Sequence, residues 1–173
     1  METWEAIDSI RVVREFADTP IAHEHLGRIL NAGRRAGSSK NLQRWAFVVV
    51  HDRARLQRLA EVGDFAGPVA KASVAIALVA PDPHAPKAPL SIVFDLGRAA
   101  QNMVLAAWEL GIGSVPATVY DQELARELLG YPEDHHCEYL LSFGHPADPS
   151  VLNAPKRSGG RASLRDIVHH ETW

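Results

Sequence analysis

The sequence predicts one domain in which helices alternate with strands around a single core. The chain has 173 residues, of which 46% are hydrophobic. That length suits one sizeable core, whereas two independent domains would be small. Apolar residues recur with helical spacing in some segments and run continuously in the segments between them. This alternation ordinarily indicates a parallel, doubly wound sheet, although composition alone is equally compatible with a mixed sheet.

The segment 92–110 predicts a helix of about five turns around which the other elements are arranged. Nearly every position in it is apolar, and it contains no proline. Its polar residues recur at spacings of three, four and seven, which confines them to one narrow stripe. They are Asp95, Arg98, Asn102 and Glu109. We therefore expect this helix to be buried on most sides and to end at Gly111 in a left-handed cap.

The remaining elements follow from capping residues, apolar spacing and turn residues. Thr3 can cap a first helix with Trp4, Ile7 and Ile10 on one face, and Asp121 can cap a later helix that Gly130 closes. In order, we predict a helix to about residue 11, a helix at 21–36, a polar loop at 38–44, a strand at 45–50, a helix at 53–62, a strand at 72–80, the core helix, a strand at 114–120, a helix at 121–129 and a strand at 138–143.

Two connecting segments carry further expectations. Residues 81–89 are punctuated by prolines and predict a stiff spacer, with a lid as the alternative. Residues 164–173 regain apolar side chains after a polar stretch. We expect this end of the chain to form an arm that packs on another surface.

Charge and cysteine content exclude several classes of protein. The net charge of -3 and the pI near 6.3 provide no basic field for nucleic acid or for an anionic membrane. Cys137 is the only cysteine, which excludes an intrachain disulfide and suits a reducing compartment. The acidic start of the chain is unlike a signal peptide, and no apolar run reaches about 18 residues. The sequence therefore predicts a cytoplasmic, soluble protein.

Two segments are candidates for binding a ligand. Arg11 and Arg14 lie near a chain reversal and could grip a phosphate bidentately, or they could be solvated or paired with the nearby acids Asp8, Glu15 and Asp18. The loop 38–44 offers hydroxyl and amide groups that match the edge of a heterocyclic ring. The same loop composition also forms an ordinary turn without any ligand.

Side chains for acid, base or nucleophilic chemistry are not evident in the sequence. It contains neither a phosphate-binding G-x-x-x-x-G-K-[ST] loop nor a G-x-S-x-G nucleophile elbow. The pairs His135-His136 and His169-His170 lack the spacing of a helical metal site, so no metal is predicted. Cys137 begins a buried strand beside acids, which is a poor setting for a thiolate. If the protein is an enzyme, its chemistry is expected to belong to a cofactor.

Four motifs in order resemble the FMN-dependent nitroreductase family, and especially its short bacterial members. The basic motif R-S-x-R-x-F of that family is met by residues 11–16, and its A-P-S-x-x-N-x-Q-P-W-x-F-V-V-V motif by residues 37–50. The central D-x-G-x-A-x-Q-N-x-x-L-x-A-x-x-x-G-x-G-S motif is met from Asp95 to Ser114, and the late G-Y-P-A motif by residues 144–147. Each motif alone is weak, but the ordered set covers most of the chain.

The resemblance implies an α+β, three-layer fold over residues 1–173, with a mixed and mostly antiparallel sheet flanked by helices. It implies a homodimer that holds FMN in two sites at the subunit interface. The implied reaction takes hydride from NAD(P)H and reduces a nitroaromatic, a quinone or a related small acceptor. The alternatives within the resemblance are another flavin reaction, such as reductive dehalogenation or flavin breakdown, and a non-catalytic flavin-binding dimer.

The resemblance also assigns site residues, all of them to cofactor binding and none to catalysis. It places Arg11, Val12, Arg14 and Arg161 at the flavin phosphate and ribityl chain. It brings Ser38, Ser39 and Asn41 to the ring from the partner subunit, and it places Pro116, Ala117 and Thr118 against the ring. Three positions depart from the family pattern: Val12 replaces a serine, Arg44 replaces a proline, and Gly159 replaces a lysine, with Lys156 and Arg157 close by in sequence.

Overall fold

Helices and strands alternate along the chain in a computed structural model that describes residues 1–155 and 160–173. They are α1 (Thr3–Ser9), α2 (His23–Arg34), β1 (Ala46–Val50), α3 (Arg53–Leu59), β2 (Val74–Pro81), α4 (Ser91–Glu109), β3 (Gly113–Thr118), α5 (Gln122–Leu129), β4 (His135–Gly144) and α6 (Leu164–Ile167). Short 3-10 helices lie at Ser39–Asn41, Gly67–Lys71 and Pro149–Asn153. The predicted basic residues Lys156 and Arg157, together with Gly159, lie outside the described residues.

The four strands form one sheet in the order β1-β2-β4-β3, and every neighbouring pair is antiparallel. The parallel sheet indicated by the alternation of helices and strands is therefore wrong, and the mostly antiparallel sheet implied by the family resemblance is confirmed. Apolar periodicity records which faces of a strand are buried, and it carries no information about strand direction. In this chain β2 is buried on both faces although both of its neighbours are antiparallel.

Alternate residues of β2 enter two cores on opposite faces of the sheet, which gives three layers. Ala75, Ala77 and Val79 pack with Leu56 of α3 and Ala125 of α5 in one core. On the other face, β2 contributes to a core with α2 and α4. The residues of that second core include Val74, Ile76, Leu78, Leu26, Ile29, Leu96, Met103 and Ala107.

The core helix α4 is less enclosed than its sequence predicts. Its inner face is buried, but Val93 is 45% exposed and Phe94 is 67% exposed. Asp95 is only 4% exposed, so the predicted polar stripe does not simply face water. The prediction that α4 is buried on most sides is wrong for the isolated subunit, since an apolar face without a covering element is left open.

The predicted capping residues can be compared with the observed ends of three helices. Asp121 accepts a hydrogen bond from the Leu124 N–H at 2.9 Å, and Gly130 closes α5 with a φ of 71°, as predicted. Gly111 also has a φ of 71° after α4. The predicted cap at Thr3 is wrong, because Thr3 is the first residue of α1 and Glu2 precedes it without a side-chain cap.

The first helix also presents a different face from the one expected. It ends at Ser9, and it turns Ala6 inward while Trp4 is 73% exposed. Ile7 is 47% exposed, so two of the three residues of the inferred apolar face lie on the surface, while Ile10 packs partly buried against a core with Val13 and Trp108. No helix among the described residues is long and apolar enough to cross a membrane.

Candidate functional site

A cavity of about 490 Å³ lies beside the edge strand β3 and brings several predicted site residues together. Arg14, Pro116 and Thr118 line it. The other lining residues are Asp64, Phe65, Gly67, Pro68 and Val115. Proline is tolerated at position 116 because β3 is the last strand of the sheet and pairs with β4 on one side only.

Backbone pairing along β3 directs Arg14 toward this cavity. The Val13 N–H donates to the Ser114 carbonyl at 3.0 Å, and Val12 bridges Ser114 in the parallel sense. Val13 is buried at 4% exposure while the neighbouring Arg14 is exposed. A Cβ at Gly113 would lie 2.5 Å from the Val13 Cβ, so glycine is required for this close approach.

The loop after α3 forms the opposite wall and was not predicted from the sequence. The Val62 carbonyl accepts hydrogen bonds from the Tyr120 and Asp121 N–H groups at 2.8 and 2.9 Å. A Cβ at Gly63 would lie 2.3 Å from the Thr118 carbonyl oxygen, so the loop approaches β3 as closely as glycine permits. These contacts place Asp64 and Phe65 at the cavity. The cluster of Gly and Pro in this loop was the only sequence signal for it.

The two N-terminal arginines have different surroundings. Arg11 Nη1 donates to the Ser9 carbonyl at 2.8 Å, and Nη2 donates to the Ala154 carbonyl at 3.0 Å. Arg11 thus fastens the N-terminal segment to the start of the C-terminal one. Arg14 lines the cavity, and within residues 1–155 and 160–173 its guanidinium forms no hydrogen bond or ion pair. Arg14 is therefore available to an anion, and Val12, which is 50% exposed, lies two residues before it.

The predicted loop 38–41 follows α2 and is attached to the N-terminal part of α4. The Ser39 N–H donates to Asp95 Oδ2 at 2.9 Å, and Ser38 Oγ accepts from the Gln43 N–H at 3.0 Å. Lys40 and Asn41 have positive φ values of 51° and 55°, a conformation uncommon for residues with a side chain. Ser39 and Asn41 are exposed on this held loop. Among the described residues, none of the loop's hydrogen bonds joins it to the residues that line the Arg14 cavity.

Asp95 is a candidate site residue to which the sequence analysis assigned no role in binding, although it lies in the polar stripe and in the central motif. Its buried carboxylate fixes the backbone of the loop 38–41. It opens the central motif that carried the family resemblance, and that motif was the signal that could have identified it. One turn further along α4, the Arg98 guanidinium lies so close to Gly37 that a Cβ there would be 2.3 Å from Nη2.

Two further predicted site residues, Ala117 and Arg161, do not line the cavity. Ala117 is 3% exposed and packs in the core with α3 and α5, so its side chain does not face the cavity that Pro116 and Thr118 line. The alternation of side chains along β3 explains this difference. Arg161 is exposed. Within the described part of the chain, Arg161 forms no hydrogen bond or ion pair with the residues that line the Arg14 cavity.

A comparison with protein families identifies the group to which this fold belongs. The Nitroreductase family model matches residues 7–63 and 64–145. The chain belongs to the Nitroreductase family. Those matched segments include Arg14, the loop 38–41, Asp95 and β3, so the residues that form the candidate site lie within the family's own domain.

Individual members of the Nitroreductase family resemble the chain over most of its length. Proteins from Archaeoglobus fulgidus and Methanothermobacter thermautotrophicus, both provisionally named NADH dehydrogenase/NAD(P)H nitroreductase, are 37% and 34% identical to it. The alignments cover 94% and 100% of this chain, and 94% and 88% of those proteins. The NADPH:FMN oxidoreductase of Vibrio harveyi, solved in complex with NAD+, is 27% identical with a TM-score of 0.86, over 99% of this chain and 77% of that one.

The single cysteine of this Nitroreductase family member is poorly suited to nucleophilic chemistry. Cys137 is fully buried in the core with α3 and α5. Burial, with the neighbouring negative charge of Glu138, raises the pKa of the Cys137 thiol to about 12. The thiol is therefore protonated at neutral pH, as its position in the sequence predicts.

Proposed function

We propose that the chain is an FMN-dependent oxidoreductase that takes hydride from NAD(P)H and reduces a nitroaromatic, a quinone or a related small acceptor. The observation that carries this proposal is the cavity beside β3, which combines an apolar wall with Arg14, whose guanidinium has no partner among the described residues. The name of the Vibrio harveyi relative states that it oxidises NADPH with FMN. The names of the two archaeal relatives include NAD(P)H nitroreductase.

The residues of the cavity fit the two chemically different ends of FMN. Arg14 offers a planar, charged set of donors of the kind that binds phosphate. Val115 and Pro116 offer apolar surface for a ring, and the Thr118 side chain offers a hydroxyl. Asp64 also lines the cavity, and its negative charge favours placing the phosphate at the Arg14 end. Phe65 and Pro68 add apolar surface that limits the access of water.

In this proposal the protein binds, orients and shields, and the cofactor carries the redox chemistry. When bound, FMN supplies the exchange of hydride between the two substrates. Arg14, Val12, Arg11 and Arg161 are assigned to its phosphate and ribityl end, and Pro116 and Thr118 to its ring. Ala117, whose side chain is buried in the core, is assigned to the ring through its backbone N–H only. Because both substrates use one site in turn, we expect ping-pong kinetics with parallel double-reciprocal lines.

The proposed enzyme is a homodimer, because one subunit holds only part of the site. Asp95 of α4 accepts a hydrogen bond from the Ser39 N–H, and among the described residues the loop 38–41 forms no hydrogen bond to the residues that line the Arg14 cavity. A second subunit would bring this loop to the ring, where its hydroxyl and amide groups complete the hydrogen bonds. Residues 1–173 act as one domain in each subunit.

Two exposed apolar surfaces support the dimer. Val93 and Phe94 form the open face of α4. In the C-terminal arm, residues 164–173, the large apolar side chains are exposed, and Trp173 is 100% exposed. The described backbone hydrogen bonds of the arm stay within residues 163–172. An exposed apolar arm whose described backbone hydrogen bonds stay within itself is expected to pack on a partner.

The proposal is tested by the absorbance spectrum of the purified protein before and after anaerobic NAD(P)H. We expect a flavin spectrum that NAD(P)H bleaches and that a nitroaromatic or a quinone restores. A protein that binds no FMN would refute the proposal. A bound flavin that NAD(P)H fails to bleach would indicate the alternative, a non-catalytic flavin-binding dimer.

A further inference from the structure

Two histidines and two carboxylates, all of residue types that can ligate a metal, meet at the junction between β4 and the proline-rich connection, residues 81–89. Ligand atoms of Asp82, His84 and His136 all lie within 4.8 Å of one another. His136 Nδ1 lies 3.8 Å from Asp82 Oδ1, and the two imidazole rings are 5.0 Å apart at an angle of 64°. Glu138 joins the group, with Oε1 at 2.6 Å from His84 Nε2 and 3.4 Å from His136 Nε2.

The backbone holds these side chains together before any ligand is present. His136 pairs with Ala80 across the sheet, which fixes β4 beside the end of β2. The Asp82 N–H donates to the Asp134 carbonyl at 3.0 Å, and the His84 N–H donates to Asp82 Oδ1 at 2.8 Å. Prolines within the connection restrict its backbone further. Little conformational entropy is therefore left to lose when a ligand binds.

The orientation of the imidazole nitrogens suits coordination of a metal ion better than simple ion pairs between the histidines and the carboxylates. Glu138 faces the Nε2 atoms of both rings, which leaves each Nδ1 atom available. His136 Nδ1 is directed toward Asp82. A carboxylate that holds the outer nitrogen of a histidine while the other nitrogen ligates is the usual support of a protein metal site.

We propose that Asp82, His84 and His136 bind one late first-row divalent metal ion, such as Zn²⁺, with Glu138 hydrogen-bonded to both imidazoles. Two imidazoles and a carboxylate form a ligand set that suits zinc, and water completes the shell. Ligand atoms around tetrahedral zinc lie about 3.4 Å apart, so atoms within 4.8 Å need only small rotations. His84 is exposed and free to make that adjustment.

The bound ion would fasten the connection to β4. Glu138 also lines a second, mostly apolar cavity of about 330 Å³, whose other residues include Val93 and Gly97 of α4, Leu78 of β2 and Pro116 of β3. The site therefore adjoins the open face of α4, and metal binding would fix one wall of that cavity.

The spacing of these residues in the sequence did not predict this site. The adjacent pair His135-His136 has the wrong spacing for a site on one element, and the structure draws on only one of these histidines. Asp82 and His84 lie about 50 positions earlier and come into range only because β2 and β4 pair. The prediction that no metal is bound rested on spacing within single elements.

The test uses the full chain, with its flavin and without an affinity tag. Zn²⁺ is titrated into it and binding is measured by calorimetry. In a second titration, Co²⁺ is added and binding is measured by absorbance. We expect saturable binding of one ion per chain and a visible Co²⁺ band of a site with nitrogen ligands. His84→Ala and His136→Ala should each weaken binding by more than the roughly 10- to 100-fold typical of removing a supporting hydrogen bond. Glu138→Gln should weaken it within that range.

Controls separate the site from ordinary histidine binding and from misfolding. His169→Ala and His170→Ala remove exposed histidines of the C-terminal arm and should leave the affinity unchanged. His84 lies in an exposed turn, so metal-free thermal unfolding of His84→Ala should match that of the parent. Absence of saturable binding in the parent, or parental affinity in both His84→Ala and His136→Ala, would overturn the proposal. Either result would leave the flavin proposal untouched.

Discussion

The two faces of α4 differ in how completely the rest of the subunit covers them. On the inner face, Ala99, Met103 and Ala107 are each 0% exposed. Gly33 of α2 lies so close to Met103 that an added Cβ would be 2.1 Å from its terminal methyl carbon. On the outer face, Phe94 is 67% exposed. Both faces are apolar in the sequence, so hydrophobicity predicts burial without saying which chain provides the cover.

The residues of the candidate site are also divided between two parts of the subunit. Arg14 and Pro116 line one cavity within the subunit, while Asp95 holds the loop 38–41 elsewhere. If a partner covers the outer face of α4, mutations on the two faces will have separable effects. Inner-face mutations will lower subunit stability, and outer-face mutations will lower association or ligand affinity.

The largest effect is expected from Met103→Ala on the inner face. Removing most of a fully buried methionine leaves a cavity and costs about 2–5 kcal/mol of unfolding free energy. Urea denaturation at several protein concentrations measures it, and the loss should be similar at each concentration. A loss below about 1 kcal/mol would mean that the inner face tolerates a cavity and that the contrast between the faces is overstated.

On the outer face, Phe94→Ala and Trp173→Ala are expected to weaken dimerisation. Each loses an exposed aromatic side chain that a partner would bury, at a cost of about 2 kcal/mol, or roughly 30-fold in the dimer dissociation constant. Analytical ultracentrifugation measures this constant. Gln57→Ala, on the layer across the sheet, is the control and should have no effect. A parent protein that sediments as a monomer while binding FMN would contradict the prediction.

Arg14→Ala should reduce FMN affinity with little change in folding. Loss of a charge-assisted hydrogen bond to phosphate is worth about 1.5–3 kcal/mol, or about 10- to 150-fold. Arg14 is exposed and has no partner among the described residues, so unfolding should be nearly unchanged. FMN titration of the apo-protein measures the affinity, with Arg55→Ala as an exposed control. Equal affinity in both variants would remove Arg14 from the site.

Two glycines of α2 provide a matched pair for the packing of the inner face. Gly33→Ala forces its methyl group against Met103 and should destabilise the protein by about 1–3 kcal/mol. Gly27→Ala meets nothing within 4 Å and should stabilise it by about 0.5–1 kcal/mol through helix propensity. Thermal unfolding of the two variants gives the sign of each effect. If Gly33→Ala proved as stable as Gly27→Ala, Met103 would have to repack without loss.

The smallest expected effect is a gain in FMN affinity from Val12→Ser. The substitution restores a hydroxyl at a position that is 50% exposed and next to the Arg14 segment. A neutral hydrogen bond is worth about 0.5–1.5 kcal/mol, which corresponds to about 2- to 10-fold in affinity. The same FMN titration measures it, with Val12→Ala as the control for loss of the valine side chain. Weaker binding by Val12→Ser than by Val12→Ala would count against a phosphate near residue 12.

Local chemistry made part of this molecule predictable from sequence. Asp121 and Gly130 delimit α5 through contacts with residues only a few positions away, and both were predicted correctly. The central helix was recognised from its apolar run and its absence of proline. The ordered motifs identified the family, because each motif keeps residue types at fixed spacing within one segment.

Tertiary structure decided what depends on distant parts of the chain. The antiparallel direction of the strands, the burial of Asp95 against the loop 38–41, and the meeting of Asp82 with His136 all join distant segments. The periodicity of apolar residues shows only which face of a single helix or strand is apolar and which is polar. Which surface covers an apolar face, and which side chains meet across the sheet, is determined by the path of the whole chain.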